Sequence, residues 1–190
     1  MGTAPTRRPA RKSRSSTRNL VEWGLVIIGA ILVAFLVKTF LVQAFRIPSE
    51  SMEPTLLVGD RVLVNKLSYR LHDVNRGDVV VFTRPANLSS GADQPEDLIK
   101  RVIGLPGETV QTKDGDVYVD GRELEEPYLP PGTETNGIEE PLDIPAGHLL
   151  VMGDNRGNSQ DGRVFGPIDE DTIVGRAFMV MWPPGRMGSL

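Results

Sequence analysis

The sequence predicts a mainly β protein of antiparallel sheets, preceded by one N-terminal transmembrane α-helix. Three observations support this fold class. One long uncharged apolar stretch occurs, at residues 23–37 near the N-terminus. After it, short β-branched and apolar runs alternate with turns rich in Gly, Pro and Asp, which is typical of strands and hairpins. The 190 residues show no internal repeat and suffice for one β domain with an anchor.

The N-terminal part is predicted to contain two segments. Residues 1–19, rich in Arg, Pro and Ser, form a disordered basic cytoplasmic arm. Residues 20–44 form the transmembrane helix, because a helix over residues 23–44 is roughly 33 Å long and a hydrocarbon core is about 30 Å thick. The basic arm predicts a single-pass topology with a cytoplasmic N-terminus. The alternative is a removable signal peptide ending near residue 44, but the length of the apolar stretch favours a retained anchor.

The exported residues 45–182 are predicted to form an extracytoplasmic β domain, followed by a C-terminal tail at 183–190. Within the domain, residues 108–147 are expected to be a hairpin-rich insertion, because Asp-Gly pairs follow alternating side chains. The acidic stretch 129–145 has no pattern that places it. The main strand signals are apolar runs bounded by turn residues, at 59–66, 76–82, 97–103, 149–152 and 176–182.

Composition and charge exclude several function classes. Residues 1–20 carry six basic residues and no acidic one, so the rest of the chain is strongly acidic although the net charge is −4. An acidic body argues against nucleic-acid binding. The absence of cysteine removes disulfides and thiolate chemistry. The two histidines, His72 and His148, lie in polar positions without metal-ligand spacing, so we expect neither a zinc site nor a Ser-His-Asp triad.

A nucleophile is suggested by residues 47–56, which carry Ser49 and Ser51 between Pro48 and Pro54. Proline fixes its own φ and restricts the residue before it, so the segment presents its serines rigidly. Rigid presentation favours a reacting group. A proline-rich linker with solvated serines explains the same pattern.

Lys100 is the candidate base, because it lies in the apolar run 97–103. A lysine accepts a proton only when neutral, and burial can lower its pKa to about 5–6. Alternation along a strand puts Lys100 on the same face as Leu98 and Val102. An edge-strand lysine that prevents aggregation is the competing interpretation. The residue pattern by itself leaves both open.

Five segments resemble, in order, the conserved motifs of bacterial type I signal peptidases: residues 47–56, 59–66, 76–82, 97–108 and 153–163. The resemblance implies a membrane-anchored serine endopeptidase with a Ser–Lys dyad. Such an enzyme removes signal peptides from exported preproteins, after small residues at −1 and −3, on the outer face of the cytoplasmic membrane. The implied partners are signal peptides and the lipid bilayer. We expect a monomer without metal, cofactor or nucleic acid.

The resemblance also assigns catalytic roles. Ser51 corresponds to the nucleophile and Lys100 to the general base. The Ser49 hydroxyl and the Ser51 N–H correspond to the oxyanion hole. Ser159 corresponds to a serine that hydrogen-bonds and orients the lysine.

Further residues are assigned to dyad support and substrate binding. Asp161 and Arg163 correspond to a supporting ion pair, and Asp154 and Arg156 lie on the same motif. Pockets for small substrate residues correspond to Phe45, Ile47, Pro48, Met52, Leu56, Val62, Val81, Asp97, Leu98 and Ile99.

Two departures from the family pattern occur in residues 153–163, a segment dense in polar side chains that we call the polar loop. Gly157 and Gly162 stand where Asp and Ser are often found, and we expect them to loosen it. The chain also shows one apolar span where part of the family has two.

Two other functions remain open. A self-cleaving Ser–Lys protease of the repressor type would need a DNA-binding domain in place of the apolar span. A non-enzymatic anchored β domain would tolerate Ser51→Ala and Lys100→Met.

Overall fold

The computed structural model describes residues 15–88 and 95–190, and the chain forms two compact units, Met1–Thr39 and Phe40–Leu190. Helices are α1 Ser15–Phe40, α2 Ser68–Leu71 and α3 Gly162–Phe165, with 3-10 turns at Glu170–Thr172 and Pro184–Arg186. The strands are β1 Val42–Arg46, β2 Arg61–Asn65, β3 Val79–Thr83, β4 Asp97–Gly104, β5 Thr109–Lys113, β6 Asp116–Val119, β7 Arg122–Glu123, β8 Leu142–Asp143, β9 His148–Met152, β10 Ile168–Asp169, β11 Ile173–Trp182 and β12 Gly188–Ser189. The mainly β prediction is confirmed.

Helix α1 differs at both ends from the predicted helix at 20–44. It begins at Ser15, inside the predicted disordered arm, whose remaining residues 1–14 lie outside the described residues. It ends at Phe40, because residues 42–44 belong to β1, which pairs antiparallel with β2. Pairing with a distant strand here overrides the local apolar pattern. Over the described ranges, we find no helix with the length and apolarity needed to cross a membrane.

The larger sheet is antiparallel and has the order β1-β2-β11-β3-β4-β9-β10, with β12 added on β11. Its two faces bury separate cores. Ile47, Val81 and Ile99 belong to the first core, whereas Phe82 and Val102 belong to the second. Strand β3 is buried on both faces, as its continuous apolar run predicts.

The smaller sheet has the order β7-β6-β5-β8 and contains the predicted hairpins. Asp114 and Asp120 have φ values of 55° and 50°, and a glycine with positive φ follows each. Two successive positive φ values define the type I′ turn that Asp-Gly favours. The acidic stretch 129–145 packs on this sheet through the buried side chains of Ile138 and Ile144.

Residues 183–190, predicted as a tail, fold back onto the large sheet. Strand β12 pairs with β11, and Leu190 packs against the first core. Arg186 forms an ion pair with Asp60 at 3.0 Å and donates a hydrogen bond to Thr55 O at 3.1 Å. These contacts hold the C-terminal segment against the loop that carries Ser51.

Candidate active site

Ser51 and Lys100 lie in direct contact. Lys100 Nζ donates a hydrogen bond to Ser51 Oγ at 2.7 Å and a second one to Ile99 O at 2.9 Å. Both side chains are largely withdrawn from solvent, since Ser51 is 9% and Lys100 3% exposed. A lysine withdrawn from solvent cannot shield a strand edge from aggregation, so the competing interpretation of Lys100 is wrong.

The loop from Ile47 to Asp60, which we call the serine loop, holds Ser51 in place. Its ends are joined by hydrogen bonds from Ile47 N to Asp60 O and from Gly59 N to Ile47 O, both 2.9 Å. Met52 and Leu56 are fully buried in the first core and fasten the segment after Ser51. Ser51 is thus part of a closed loop, and the linker interpretation fails.

The environment of Lys100 favours its neutral form. Burial is the largest influence and lowers the pKa of the Lys100 amine to about 8. The carboxylates of Asp161 and Asp154 oppose this shift, whereas the positive charge of Arg84 adds to it. An amine with this pKa is substantially neutral in mildly alkaline solution, so it can accept a proton from a neighbouring hydroxyl.

Two donors lie beside the Ser51 hydroxyl. Ser49 Oγ is 3.4 Å from Ser51 Oγ, and the Ser49 side chain is exposed. Among the hydrogen bonds of residues 15–88 and 95–190, none uses the Ser51 N–H as donor. Both groups are free to bind an anion that forms at a carbonyl attacked by Ser51.

Asp161 and Arg163 form the predicted ion pair at the far end of the polar loop 153–163. Arg163 Nη2 lies 2.8 Å from Asp161 Oδ2, and the same oxygen accepts a hydrogen bond from Gly153 N at 2.9 Å. Burial alone would raise the pKa of the Asp161 carboxyl, but the hydrogen bonds and charge of Arg163 outweigh it and lower that pKa. Asp161 therefore stays ionised and braces the start of the loop.

Ser159 is placed close to the dyad but does not make the hydrogen bond to Lys100 that the resemblance implies. Its Oγ is buried and has no geometrically acceptable partner among the described residues. The Ser159 hydroxyl contributes, as the smallest of the named causes, to lowering the pKa of the Asp161 carboxyl. Lys100 Nζ directs its two hydrogen bonds to Ser51 and Ile99.

Gly153 lies between the two serines, which the sequence pattern did not single out. A Cβ built on Gly153 would fall well inside 3.0 Å of both Ser51 O and Ser159 Oγ, closer than real Cβ atoms approach their neighbours. The absent side chain therefore permits the polar loop to pack against the backbone of Ser51.

Asp154 contacts neither member of the dyad. It accepts two hydrogen bonds from buried Arg101, at 2.9 and 2.6 Å, and one from Thr55 Oγ1 at 2.6 Å. Arg101 is also held by Gly77 O at 2.8 Å, and its guanidinium lies 3.9 Å from the centre of the Tyr128 ring. The support from Asp154 therefore acts through the serine loop.

Arg156 also points away from the dyad. It pairs with Glu126 and donates to Thr135 Oγ1 at 2.5 Å, which ties the polar loop to residues that cover the smaller sheet. Its Nε additionally donates to Gly153 O at 3.1 Å. Arg156 thus fixes the polar loop on the side that faces away from the dyad.

Asn155 and Asn158 fasten the polar loop to the serine loop, and neither was predicted from the sequence as a site residue. Asn155 N donates to Ser51 O at 3.1 Å and its side chain to Glu50 O at 3.1 Å. Asn158 Nδ2 donates to the Glu50 carboxylate at 3.2 Å. Their position inside the 153–163 motif, next to predicted residues, was the available signal.

A small apolar cavity of about 40 Å³ lies beside the dyad. Seven of the ten predicted pocket residues line it, together with Ser49, Lys100 and two residues that were not predicted, Arg46 and Pro95. Its predicted lining residues are Phe45, Ile47, Pro48, Val81, Asp97, Leu98 and Ile99.

The other three predicted pocket residues are core residues. Met52, Leu56 and Val62 are fully buried in the first core and do not line the cavity. They pack in the same cluster as Ile47 and Ile99, so they support the cavity wall from behind.

A larger cleft of about 660 Å³ continues from this cavity past the dyad. We call it the catalytic cleft; its lining residues are Pro48, Ser49, Glu50, Ser51, Val58, Arg84, Pro95, Leu98, Lys100, Asn158 and Gln160. Neither histidine contributes to it: His72 is exposed, and the His148 ring bonds to Ala146 O. Within the described ranges, no three His, Asp or Glu side chains are grouped to hold a metal ion.

The two unusual glycines of the polar loop behave differently from each other. Gly157 is exposed, and a Cβ there would meet nothing within 4 Å. Gly162 is buried at the start of α3, where a Cβ would lie 2.8 Å from Val151 O. The expectation that Gly162 loosens the loop is wrong, because its missing side chain permits tight packing on β9.

The chain is similar in sequence to proteins of one known family. Residues 20–182 match the family described as Signal peptidase, peptidase S26. The chain is 44% identical over 146 residues to a probable signal peptidase I-2 of Synechocystis sp., a match covering 76% of this chain and 65% of that protein. It is 39% identical over 182 residues to signal peptidase IB of Staphylococcus aureus, covering 87% of this chain and 91% of that protein.

A crystal structure of a signal peptidase I from Enterococcus faecalis V583 matches 55% of this chain and 97% of its own, with a TM-score of 0.44 and 29% identity. The family model spans Ser51, Lys100 and the whole polar loop, and the resemblance found in the sequence is thereby confirmed. The chain belongs to the signal peptidase family, peptidase S26.

Proposed function

We propose that this protein is a membrane-anchored serine endopeptidase that removes N-terminal signal peptides from exported preproteins, cutting after small residues at −1 and −3. The observation that carries the proposal is the 2.7 Å hydrogen bond between a buried lysine amine, Lys100 Nζ, and Ser51 Oγ. A hydroxyl paired with an amine of lowered pKa is an activated nucleophile.

The reaction begins when neutral Lys100 accepts the proton of Ser51 Oγ, which forms a bond to the carbonyl carbon of residue −1. The Ser51 N–H and the Ser49 hydroxyl donate to the resulting oxyanion. The Lys100 ammonium then gives its proton to the nitrogen of residue +1, and the peptide bond breaks. A water molecule, deprotonated by Lys100, attacks the ester carbonyl, and the Lys100 ammonium returns the proton to Ser51 Oγ as the acyl–oxygen bond breaks.

The substrate pairs with the free edge of β4. Strand β9 pairs with β4 only from Arg101 onward, so residues 97–100 have no partner on that side among the described strands. An extended peptide can add its main-chain hydrogen bonds there. Residues −1 and −3 point to the same face of such a strand and enter the apolar cavity. A cavity of about 40 Å³ accepts small side chains and excludes large ones.

Membrane anchoring is proposed from the N-terminal sequence. Residues 23–37 are uncharged, and Trp23, Ile27 and Ile31 are among many apolar side chains exposed along α1. The basic residues before them favour a cytoplasmic N-terminus and an extracytoplasmic catalytic domain. An anchor would hold the dyad near the membrane surface, where a signal peptide emerges. We propose a single-pass protein of the cytoplasmic membrane that acts as a monomer.

The test is cleavage of a purified preprotein in detergent by the full-length chain and its variants. Ser51→Ala and Lys100→Met should each lose more than about a thousandfold in kcat/KM, because both members of the dyad act together. Ser189→Ala and Lys113→Met are matched controls at exposed positions and should keep wild-type activity. Undiminished cleavage by Ser51→Ala or Lys100→Met would overturn the dyad, and a wild type that cleaves nothing would favour the non-enzymatic domain. Cleavage of its own chain without cleavage of the preprotein would favour the self-cleaving protease.

A further inference from the structure

Arg84 is a cationic residue of the catalytic cleft that the proposed reaction does not use. It directly follows β3, and its backbone N–H extends the β3–β4 pairing by donating to Glu96 O at 2.8 Å. Its Nε donates to Pro95 O at 3.0 Å, which fixes the base of the guanidinium. Over residues 15–88 and 95–190, no carboxylate lies within ion-pair distance of Arg84, and its terminal nitrogens make no hydrogen bond.

The register of the sheet places Arg84 on a defined face. Val80 lies opposite Lys100, and Phe82 lies opposite Leu98. Side chains alternate along a strand, so Arg84 continues the face that carries Leu98 and Lys100. Leu98 and Lys100 line both the apolar cavity and the catalytic cleft, but Val81 and Ile99, on the opposite face, line the cavity alone, and Arg84 lines the cleft alone.

A substrate strand beside β4 must alternate in the same way. With residues −1 and −3 in the apolar cavity, residue −2 points to the other face, toward Arg84. The catalytic cleft is large enough for a long side chain at that position, since its volume is about 660 Å³.

The charges around the catalytic cleft favour an anion at this position. Arg84 is close enough to the dyad for its charge to act on the Lys100 amine. Glu50 is the one carboxylate among the described residues lining the cleft, and its Oε2 is engaged by Asn158 Nδ2. A guanidinium with free terminal nitrogens binds a carboxylate in a planar, bidentate arrangement.

We propose that Arg84 is a specificity-determining residue that binds an acidic side chain at position −2 of the substrate. This inference rests on the proposed signal peptidase function. The preference comes from a partly exposed ion pair, so it modulates selection among substrates that already carry small residues at −1 and −3.

The test uses peptides that share Ala at −1 and −3 and carry Glu, Gln or Lys at −2. Their kcat/KM is measured at pH 9, above the pKa of Lys100, with full-length wild type, Arg84→Gln, Arg84→Lys and Arg84→Glu. Arg122→Gln is the control, because Arg122 lies on β7 of the smaller sheet, is exposed and does not line the cleft. A second peptide set carries the same three residues at +1.

We expect wild type to prefer Glu over Gln by about fivefold, near the upper limit for an exposed ion pair, and Gln over Lys by a similar factor. Arg84→Gln should remove the preference, Arg84→Glu should reverse it, Arg84→Lys should weaken it because an ammonium cannot bind a carboxylate in the bidentate arrangement, and Arg122→Gln should retain it. Added salt should weaken it.

Three outcomes would overturn the inference. Wild type could cleave the three −2 peptides equally, the preference could survive in Arg84→Gln, or the preference could be confined to position +1. In each of these cases the neutral peptide is still cleaved, so the proposed function stands. Failure of wild type to cleave any peptide would remove both.

Discussion

Thr55 Oγ1 donates a 2.6 Å hydrogen bond to Asp154 Oδ2, which joins the serine loop to the polar loop although the two residues are 99 positions apart in the sequence. Asp154 is in turn fixed by Arg101, the residue after the candidate base. The candidate nucleophile Ser51 and the candidate base Lys100 are therefore positioned by one buried network, although neither touches Asp154.

Thr55→Val should lower both stability and turnover. The variant keeps the shape of the side chain but removes a hydrogen bond to a buried carboxylate, which costs about 1.5–3 kcal/mol of unfolding free energy. Because the loop that carries Ser51 is loosened, kcat should fall more than KM changes. Chemical denaturation and steady-state cleavage measure the two effects. Thr172→Val is the control, because the Thr172 hydroxyl donates to Asp169 O outside the site, and it should leave kcat unchanged. An equal loss of kcat in both variants would refute the positioning role of Thr55.

The rate should depend on the ionisation of Lys100. The protonated amine cannot accept a proton, so kcat/KM should rise tenfold per pH unit in acid solution and level off above about pH 8, where the pKa of Lys100 lies. Arg84→Gln removes a positive charge that lowers this pKa, and should therefore move the midpoint to higher pH. A pH–rate profile on a neutral peptide checks both expectations. A rate that does not vary between pH 5 and 8 would rule out a lysine base.

Lys100→Met should stabilise the fold while abolishing activity. Between about pH 8 and the ordinary value of 10.5, the unfolded chain holds a proton on Lys100 that the folded chain has lost, so wild-type stability rises with pH across this window. The increase in the free energy of unfolding that Lys100→Met produces should thus be largest below pH 8, at most about 3 kcal/mol, and should decrease toward pH 10.5. Denaturation at pH 6, 8 and 10 measures this dependence. Ser51→Ala, which is equally inactive, should show no such pH-dependent gain.

Gly153→Ala should disrupt the site more than its size suggests. The new methyl group would overlap Ser51 O and Ser159 Oγ, and overpacking of this kind costs about 1–3 kcal/mol. The displaced serine loop should lower kcat by more than about tenfold. Gly157→Ala is the matched control in the same loop, because a Cβ there meets nothing within 4 Å. Wild-type turnover in Gly153→Ala would show that the close approach is dispensable.

The sequence could indicate the parts of the fold that depend on local pattern. The Asp-Gly hairpins follow from turn chemistry, and the burial of β3 follows from its continuous apolar run. The pairing of Ser51 with Lys100 is not local and was predicted from the family resemblance. The end of α1 could not be predicted, because residues 42–44 are apolar enough for a helix and become a strand only by pairing with β2.

The directions in which side chains point could likewise not be predicted from the sequence. Met52, Leu56 and Val62 are the right residue types for a pocket wall, but the closed loop turns them into the core. The resemblance relates Ser159 to Lys100, yet the buried Ser159 Oγ has no hydrogen-bond partner among the described residues. The role of Arg101 depends on Asp154, which is distant in sequence, so no local pattern could reveal it.

The central claim is that Ser51 becomes acylated with the help of Lys100, and rapid-quench mass spectrometry of the intact protein during peptide cleavage tests it most directly. Wild type should gain the mass of the substrate's N-terminal fragment, located on Ser51 after digestion, and Ser51→Ala and Lys100→Met should gain none. Turnover by Ser51→Ala, or an adduct on another residue of the wild-type protein, would contradict the account.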